Sequence, residues 1–517
     1  MTANKRIFLN IIATYGRSLY AMALGLFTAR WVLQALGKED FGLYGLIGGL
    51  VAFVTFFNGL LASSVGRFYA VGVGGANKVG NEKVGLEECR MWFNTALSIH
   101  SILPIVLVIA GYPIGIWAIE NFLIIPPEKM SACIWVWRFT CITGFVSMIN
   151  VPFQAMYTAK QEIAELTMYG VATATINAVF IYYMVTHPGE WLTKYAACMC
   201  LTAVLPQGII AFRAMMKYPE CKFNRKYLFS ISRYKELAYF CFAKFWASFS
   251  GMFSGQGQSI LVNKYMGPVY NASMTVANQV KGQALTLSSA LSGAFWPAIA
   301  NKAGEGDLLE MRRLCFVTCR FGTVLVLIFA LPLCLELHEV LRLWLVTPPD
   351  FAAEICIVLL LRDAFERSTD GYWMAIYGLG HKVMKYSWTV GWAGISTVFS
   401  SWLFFMLGFG MWSICIGLTF SKIITVSVRL YMGRDPAIGL SLRYWLQHVF
   451  MPISITAMLA TIVCAFVRFS MPASFIRVVL TTAAFEVIYL PLVWFFVFKN
   501  SERDYVRNKI FRKVRGN

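Results

Sequence analysis

The stretch NIIATYGRSLYAMALGLFTARW, residues 10–31, places an arginine a third of the way along a run otherwise long enough to cross a bilayer. Runs of this kind recur to the far end of a 517-residue chain that is 58% hydrophobic, 15% aromatic and 14% charged. Soluble domains carry about 25% charged residues, so this composition suits hydrocarbon rather than water. The reading is an all-α polytopic membrane protein with about 14 transmembrane helices between residues 8 and 498. The first run is too long for a cleaved signal and lacks a small-residue cleavage site, so the first helix is expected to be retained.

The formal net charge is +19, which by itself would suit a nucleic-acid partner. Its distribution argues for topology instead. With both termini inside, the outer segments hold only Lys38, Lys129, Lys264, Arg342, Arg468 and Arg477. The inner ones hold most of the rest, in blocks such as Lys222, Arg225 and Lys226 or Arg512, Lys513 and Arg515. That bias is the positive-inside pattern of an even number of spans. It puts both termini on the inner side and leaves no nucleic acid among the expected partners. The 13 cysteines lie mostly in apolar runs without metal or disulfide spacing. No GxxxxGK[ST], HExxH or GxSxG occurs, so nothing nominates an enzyme, a metal or a cofactor.

The organisation reads as an N-terminal six-helix lobe (1–217), a cytoplasmic linker (218–235), a C-terminal six-helix lobe (236–440), helices 13 and 14 (441–498) and a basic tail (499–517). The lobes echo each other. YGRSLYAMALGLF lies over FAKFWASFSGMF so that Arg17 meets Lys244, and a nearby register brings Gly37 onto Gly267. Repeat-built transporters bind cargo near mid-membrane at the repeat interface.

Cations inside the spans carry the functional question. Arg30, Lys194, Arg320 and Lys422 lie near helix ends and are expected to snorkel. Arg17, Arg67, Lys244, Lys281 and Arg138 lie deeper, and each central Lys or Arg costs about 2.5–3.5 kcal/mol on insertion scales. An anionic ligand would supply the missing partner. Polar and small residues share helix faces with these cations: Ser248, Gly251, Gly255 and Gln258 with Lys244, and Asn271, Thr275, Asn278, Gly282 and Ser289 with Lys281. Such stripes serve either a cavity or close helix packing. The tenth helix differs, since LLLRDAFERSTDGYW holds Arg362, Asp363, Glu366, Arg367 and Asp370. The spacings Arg362/Glu366 and Asp363/Arg367 predict pairing along one helix; a gate or coupling site is the functional alternative. Glu162 and Glu165, beside an inner loop, are expected to be solvated.

Several stretches taken in order resemble one family: LGKEDFGLYGLIGGL (36–50), PFQAMYTAKQEIAEL (152–166), WPAIANKAGEGD (296–307), EVLRLWLVTPPDFA (339–352) and YGLGHKVMKY (377–386). The chain looks like the Wzx-type polysaccharide-repeat flippases of the multidrug/oligosaccharidyl-lipid/polysaccharide exporter superfamily. That resemblance implies two pseudo-symmetric six-helix bundles in a V, plus two C-terminal helices, opening alternately to each side. It implies a cationic cavity that moves undecaprenyl-diphosphate-linked oligosaccharide outward for cell-surface polysaccharide such as O-antigen. Arg17, Arg67, Lys244 and Lys281 would hold the diphosphate, with Arg138, Gln258 and Asn278 also lining the cavity. Membrane lipids and other polysaccharide-assembly proteins would be further partners. A drug or metabolite exporter of the same superfamily is the alternative, followed by a membrane polysaccharide polymerase.

Overall fold

In the computed structural model the apolar runs are helices, and no strand occurs among the described residues. Those residues are 3–50, Phe56, Asn58, Leu61, Val65, Tyr69, 82–160, 162–500, Glu502 and Arg503. The helices are α1 (Ala3–Leu50), α2 (Glu82–Trp117), α3 (Met130–Ala159), α4 (Ile163–Thr186), α5 (Leu192–Lys217), α6 (Ile231–Met266) and α7 (Pro268–Glu305). They continue as α8 (Leu308–Leu345), α9 (Ala352–Arg367), α10 (Asp370–Leu379), α11 (Val383–Met406) and α12 (Trp412–Gly433). The last two are α13 (Leu442–Ser470) and α14 (Phe475–Val497). Among the described residues, 9 helices are long and apolar enough to cross a membrane. Large apolar side chains are exposed along their outer faces, as at Ile105, Ile109 and Ile114 of α2 and Ile462, Phe466 and Phe469 of α13. That surface needs lipid, and the protein is a multi-pass membrane protein.

Two glycines make matching bends. Gly37 interrupts α1 at φ 76, ψ 172, and Gly267 ends α6 at φ 90, ψ 174. This region of backbone space is essentially closed to residues with a Cβ. Gly37 and Gly267 are also the pair that the internal echo superimposes. Pro268 follows Gly267 at the start of α7, where a missing N–H is harmless.

Packing divides the chain into two units, Met1–Ala272 and Ser273–Asn517. The sequence places its lobe boundary earlier, at 218–235, yet α6 packs with the first unit, for reasons visible in its contacts. Asn94, Thr95 and Ser98 of α2 bind the linker backbone: Asn94 Nδ2 donates to Lys222 O at 3.1 Å and Ser98 Oγ to Leu228 O at 2.7 Å. Phe245 and Phe249 of α6 lie edge-on to Phe56 at 5.4 and 6.1 Å. At the far end of α6, the Asn263 amide grips both backbone groups of Ile124, accepting at 2.8 Å and donating at 3.1 Å. Glu162 and Glu165 are paired rather than solvated. Glu165 binds Arg213 at 2.6 Å and Lys217 at 2.9 Å, and Glu162 pairs with Lys217.

In the second unit α8 is the central helix, with 67% of its apolar window buried. Asp307 caps it by accepting from Glu310 N–H at 3.1 Å. Its core partners include Leu360, Tyr372, Ile376, Trp445, Val449, Phe485 and Tyr489. Two buried ion pairs fasten the C-terminal helices to α8. Arg477 of α14 donates to Glu336 Oε2 at 2.7 and 3.1 Å, and Thr481 donates to Oε1 at 3.1 Å. Sixteen residues earlier on α8, roughly 24 Å along the axis at 1.5 Å per residue, Arg320 pairs with Glu502. Arg320 was expected to snorkel, but it is 2% exposed. A guanidinium at that depth needs an internal carboxylate, and Glu502 supplies it.

Gly37→Ala and Gly267→Ala should each destabilise the folded protein by about 1–3 kcal/mol, seen as a lower thermal midpoint in detergent. Gly251→Ala, where a Cβ would meet nothing within 4 Å, should leave the midpoint unchanged or raise it slightly. Equal midpoints for all three variants would remove the backbone argument.

Candidate functional site

The helix expected at 352–377 is two helices. α9 ends at Arg367 and α10 begins at Asp370, with Ser368 and Thr369 between them. A break frees backbone groups, and in a protein surrounded by lipid these must find partners inside the protein. Trp445 Nε1 donates to Ser368 O at 2.7 Å. Arg429 of α12 donates through Nη1 to Glu366 O at 3.3 Å, and Thr369 Oγ1 donates to the same carbonyl at 2.9 Å.

Arg429 is the centre of the site. Its Nη2 reaches Glu366 Oε1 at 3.0 Å, and its Nη1 reaches Asp370 Oδ1 and Thr369 Oγ1 at 3.4 and 3.3 Å. Its Nε donates to Tyr386 OH at 3.0 Å. Lys422, two turns earlier on the same face of α12, pairs with Glu366. Arg367 binds Asp370 Oδ2 at 2.8 Å and Ser289 Oγ of α7 at 3.1 Å. Ser292 and Trp373 also donate to the Asp370 carboxylate, at 3.2 and 3.1 Å. Arg362 donates to Asp363 Oδ1 through Nη2 at 2.6 Å and Nε at 2.8 Å.

The i,i+4 pairs expected from sequence, Arg362/Glu366 and Asp363/Arg367, therefore do not form. Arg362 turns to its neighbour Asp363, Arg367 reaches forward across the break, and Glu366 is taken by two cations of α12. Lys422 and Arg429 were placed by sequence at a helix end and in an inner segment. Both belong to this cluster instead, because a buried carboxylate draws whatever cation can reach it without water. Their signal was present: two cations spaced two turns apart in an apolar run share one helix face.

Lys281 of α7 stands beside the cluster. The charges that act on it most strongly are Asp363, Arg362, Lys422 and Glu366, in that order. Lys281 is half-buried and has no ion pair among the described residues. In this region Lys281, Arg362, Arg367, Lys422 and Arg429 face Asp363, Glu366 and Asp370, a net of two positive charges. Asn278 is exposed one turn before Lys281, and a Cβ on Gly282 would meet nothing within 4 Å. This α7 face is open, whereas close packing governs elsewhere, as at Gly417, where a Cβ would lie 2.0 Å from Ser401 Oγ.

The other expected residues fall in the first unit. Arg67 lies outside the described residues. Arg17 and Lys244 lie on α1 and α6, and their side chains lie outside the description. Arg138 is occupied by aromatic neighbours, donating to Tyr112 OH at 3.1 Å with its guanidinium 4.6 Å from the Trp135 ring. Gln258 is 2% exposed, so it faces neighbouring helices rather than open space. Gly251 and Gly255 on the same helix do face open space. No cluster of metal-ligating side chains occurs among the described residues.

No protein-family model matches this sequence, and no curated protein sequence matches it. Solved structures do match in fold. One is the lipid II flippase MurJ in an inward closed conformation, with TM-score 0.65 and 13% identity over 97% of this chain and 100% of that one. Another is an inward-facing multidrug resistance MATE family transporter of the MOP superfamily, with TM-score 0.63 and 14% identity over 85% of this chain and 99% of that one. A third is a MOP superfamily transporter from Pyrococcus furiosus described by the reversed polarity of its binding pocket, with TM-score 0.51 and 15% identity over 84% and 94%. At these identities the likeness establishes the fold: this chain has the polytopic helical fold found in a lipid flippase and in MATE transporters.

Arg429→Ala should destabilise the protein by about 3–5 kcal/mol, the usual cost of breaking a buried pair, and more than Lys422→Ala, because Arg429, unlike Lys422, also bonds a carbonyl at the helix break. Thermal unfolding of purified variants checks the order, and a reversed order would count against the central place given to Arg429.

Proposed function

We propose that the protein is a flippase that moves undecaprenyl-diphosphate-linked oligosaccharide repeat units from the cytoplasmic to the periplasmic leaflet of the bacterial inner membrane, by alternating access, for cell-surface polysaccharide synthesis. The observation that carries this reading is the surplus of positive charge in the second unit, with Lys281 lacking an ion pair among the described residues and lying on an open helix face. Diphosphate fits such a surplus. Its oxygens accept charge-assisted hydrogen bonds, forked from Arg and point-like from Lys. A cation without a protein anion at membrane depth marks a substrate path by default.

The sequence resemblance and the fold shared with a lipid flippase support the same reading. Arg17, Arg67 and Lys244 are proposed as the cations of the first lobe and α6, with Lys281 as the cation of α7. Both termini are proposed to be cytoplasmic. An exporter of organic cations would need a carboxylate free to receive cargo at this site, and the three acids beside Lys281, Asp363, Glu366 and Asp370, are each already paired.

Purified protein in liposomes carrying lipid-linked oligosaccharide diphosphate should expose the sugar to an added, membrane-impermeant glycosidase. Lys281→Ala should slow that exposure about tenfold or more, since a hydrogen bond to a charged group contributes about 1.5–3 kcal/mol. Lys281→Arg should retain most of the rate. Wild-type flipping by an Arg17→Ala/Lys281→Ala double variant would falsify the assignment.

A further inference from the structure

The three carboxylates beside Lys281 are not equivalent. Glu366 is held by Lys422 and Arg429, and Asp370 by Arg367, Arg429, Ser292 and Trp373. Both are tied across helices, and both support the break between α9 and α10. Asp363 pairs, among the described residues, with its chain neighbour Arg362 alone. The two side chains are more than nine-tenths buried, at 7% and 8% exposure. Asp363 is also the strongest single charge acting on Lys281. It therefore pairs with one cation of the candidate site, acts on a second through its charge, and holds no other part of the fold by an ion pair.

We propose that Asp363 is a resident counter-anion that competes with the phosphates of the cargo for Arg362 and Lys281. The inference rests on the reading of this site as a diphosphate seat. A site built only of cations would grip a diphosphate tightly, and emptying it would leave buried charges unpaired at a cost of several kcal/mol per ion. An internal carboxylate changes both steps. Binding must displace it from Arg362 and overcome its attraction for Lys281, which weakens the grip, and its return to Arg362 restores that pair as the cargo leaves. Asp363 thus sets the balance between affinity and release.

The test uses the purified full chain in detergent, with inorganic pyrophosphate as the probe and titration calorimetry as the readout, alongside the liposome flipping assay. Asp363→Asn should bind pyrophosphate roughly tenfold or more tighter than wild type, within the 5–150-fold range usual for coupled sites. It should also flip cargo more slowly at saturation. Asp363→Glu, which keeps the charge, should restore the wild-type constant. If Asp363→Asn does not fold, Arg362→Gln carries the test: it leaves Asp363 to neutralise Lys281, and pyrophosphate binding should weaken at least tenfold. Unchanged affinity in Asp363→Asn, or in Arg362→Gln where only that variant folds, overturns the proposal. If Lys281→Gln still weakens binding in that case, the diphosphate reading stands without it. If Lys281→Gln is also silent, both fall.

Discussion

The guanidinium of Arg429 is the interaction on which the second unit turns. Two acidic side chains flank the stop between α9 and α10, and carbonyls there turn to donors outside the helix. Water would satisfy all of them, but hydrocarbon cannot. One planar, permanently charged group with five donors meets the need, touching the Glu366 carbonyl, both carboxylates and the Thr369 hydroxyl at once. With those acids held, Lys281 sits on an open helix face without an ion pair among the described residues.

The first unit is organised by shape more than by charge. The Gly37 bend lets α1 run on past its kink, and Gly42 lies so close to the Pro268 carbonyl that an added Cβ would sit 2.1 Å from it. The Asn263 grip on Ile124 and the pinning of the linker to α2 use neutral hydrogen bonds. These bonds fix backbone positions without charging the interior.

Much of the fold was legible in the sequence because hydrocarbon imposes a simple rule on length and composition. The helical spans, the paired glycines and the unusual standing of Lys281 all follow from that rule or from spacing. Ion-pair partners were not legible. Local spacing suggested Arg362 with Glu366, but the true partners of Glu366 come from α12, and those of Arg320 and Glu336 from the last segments of the chain. A one-dimensional reading sees neighbours three or four residues apart, and it cannot see which distant helix a buried acid will face. The break at Ser368 and Thr369 was missed as well. Distant helices supply Arg429 and Trp445 to its carbonyls, and the run Ser368, Thr369, Asp370 and Gly371 was its local signal.

The two fastenings of the C-terminal helices to α8 bear on how the chain is made. Arg320 and Glu336 enter the bilayer long before Arg477 and Glu502 leave the ribosome. Through that interval each lacks its ion-pair partner. The last segments to be synthesised are thus the ones that complete the two ion pairs of α8. A chain cut short before them would carry its own mark of incompleteness, two stranded charges legible to membrane quality control.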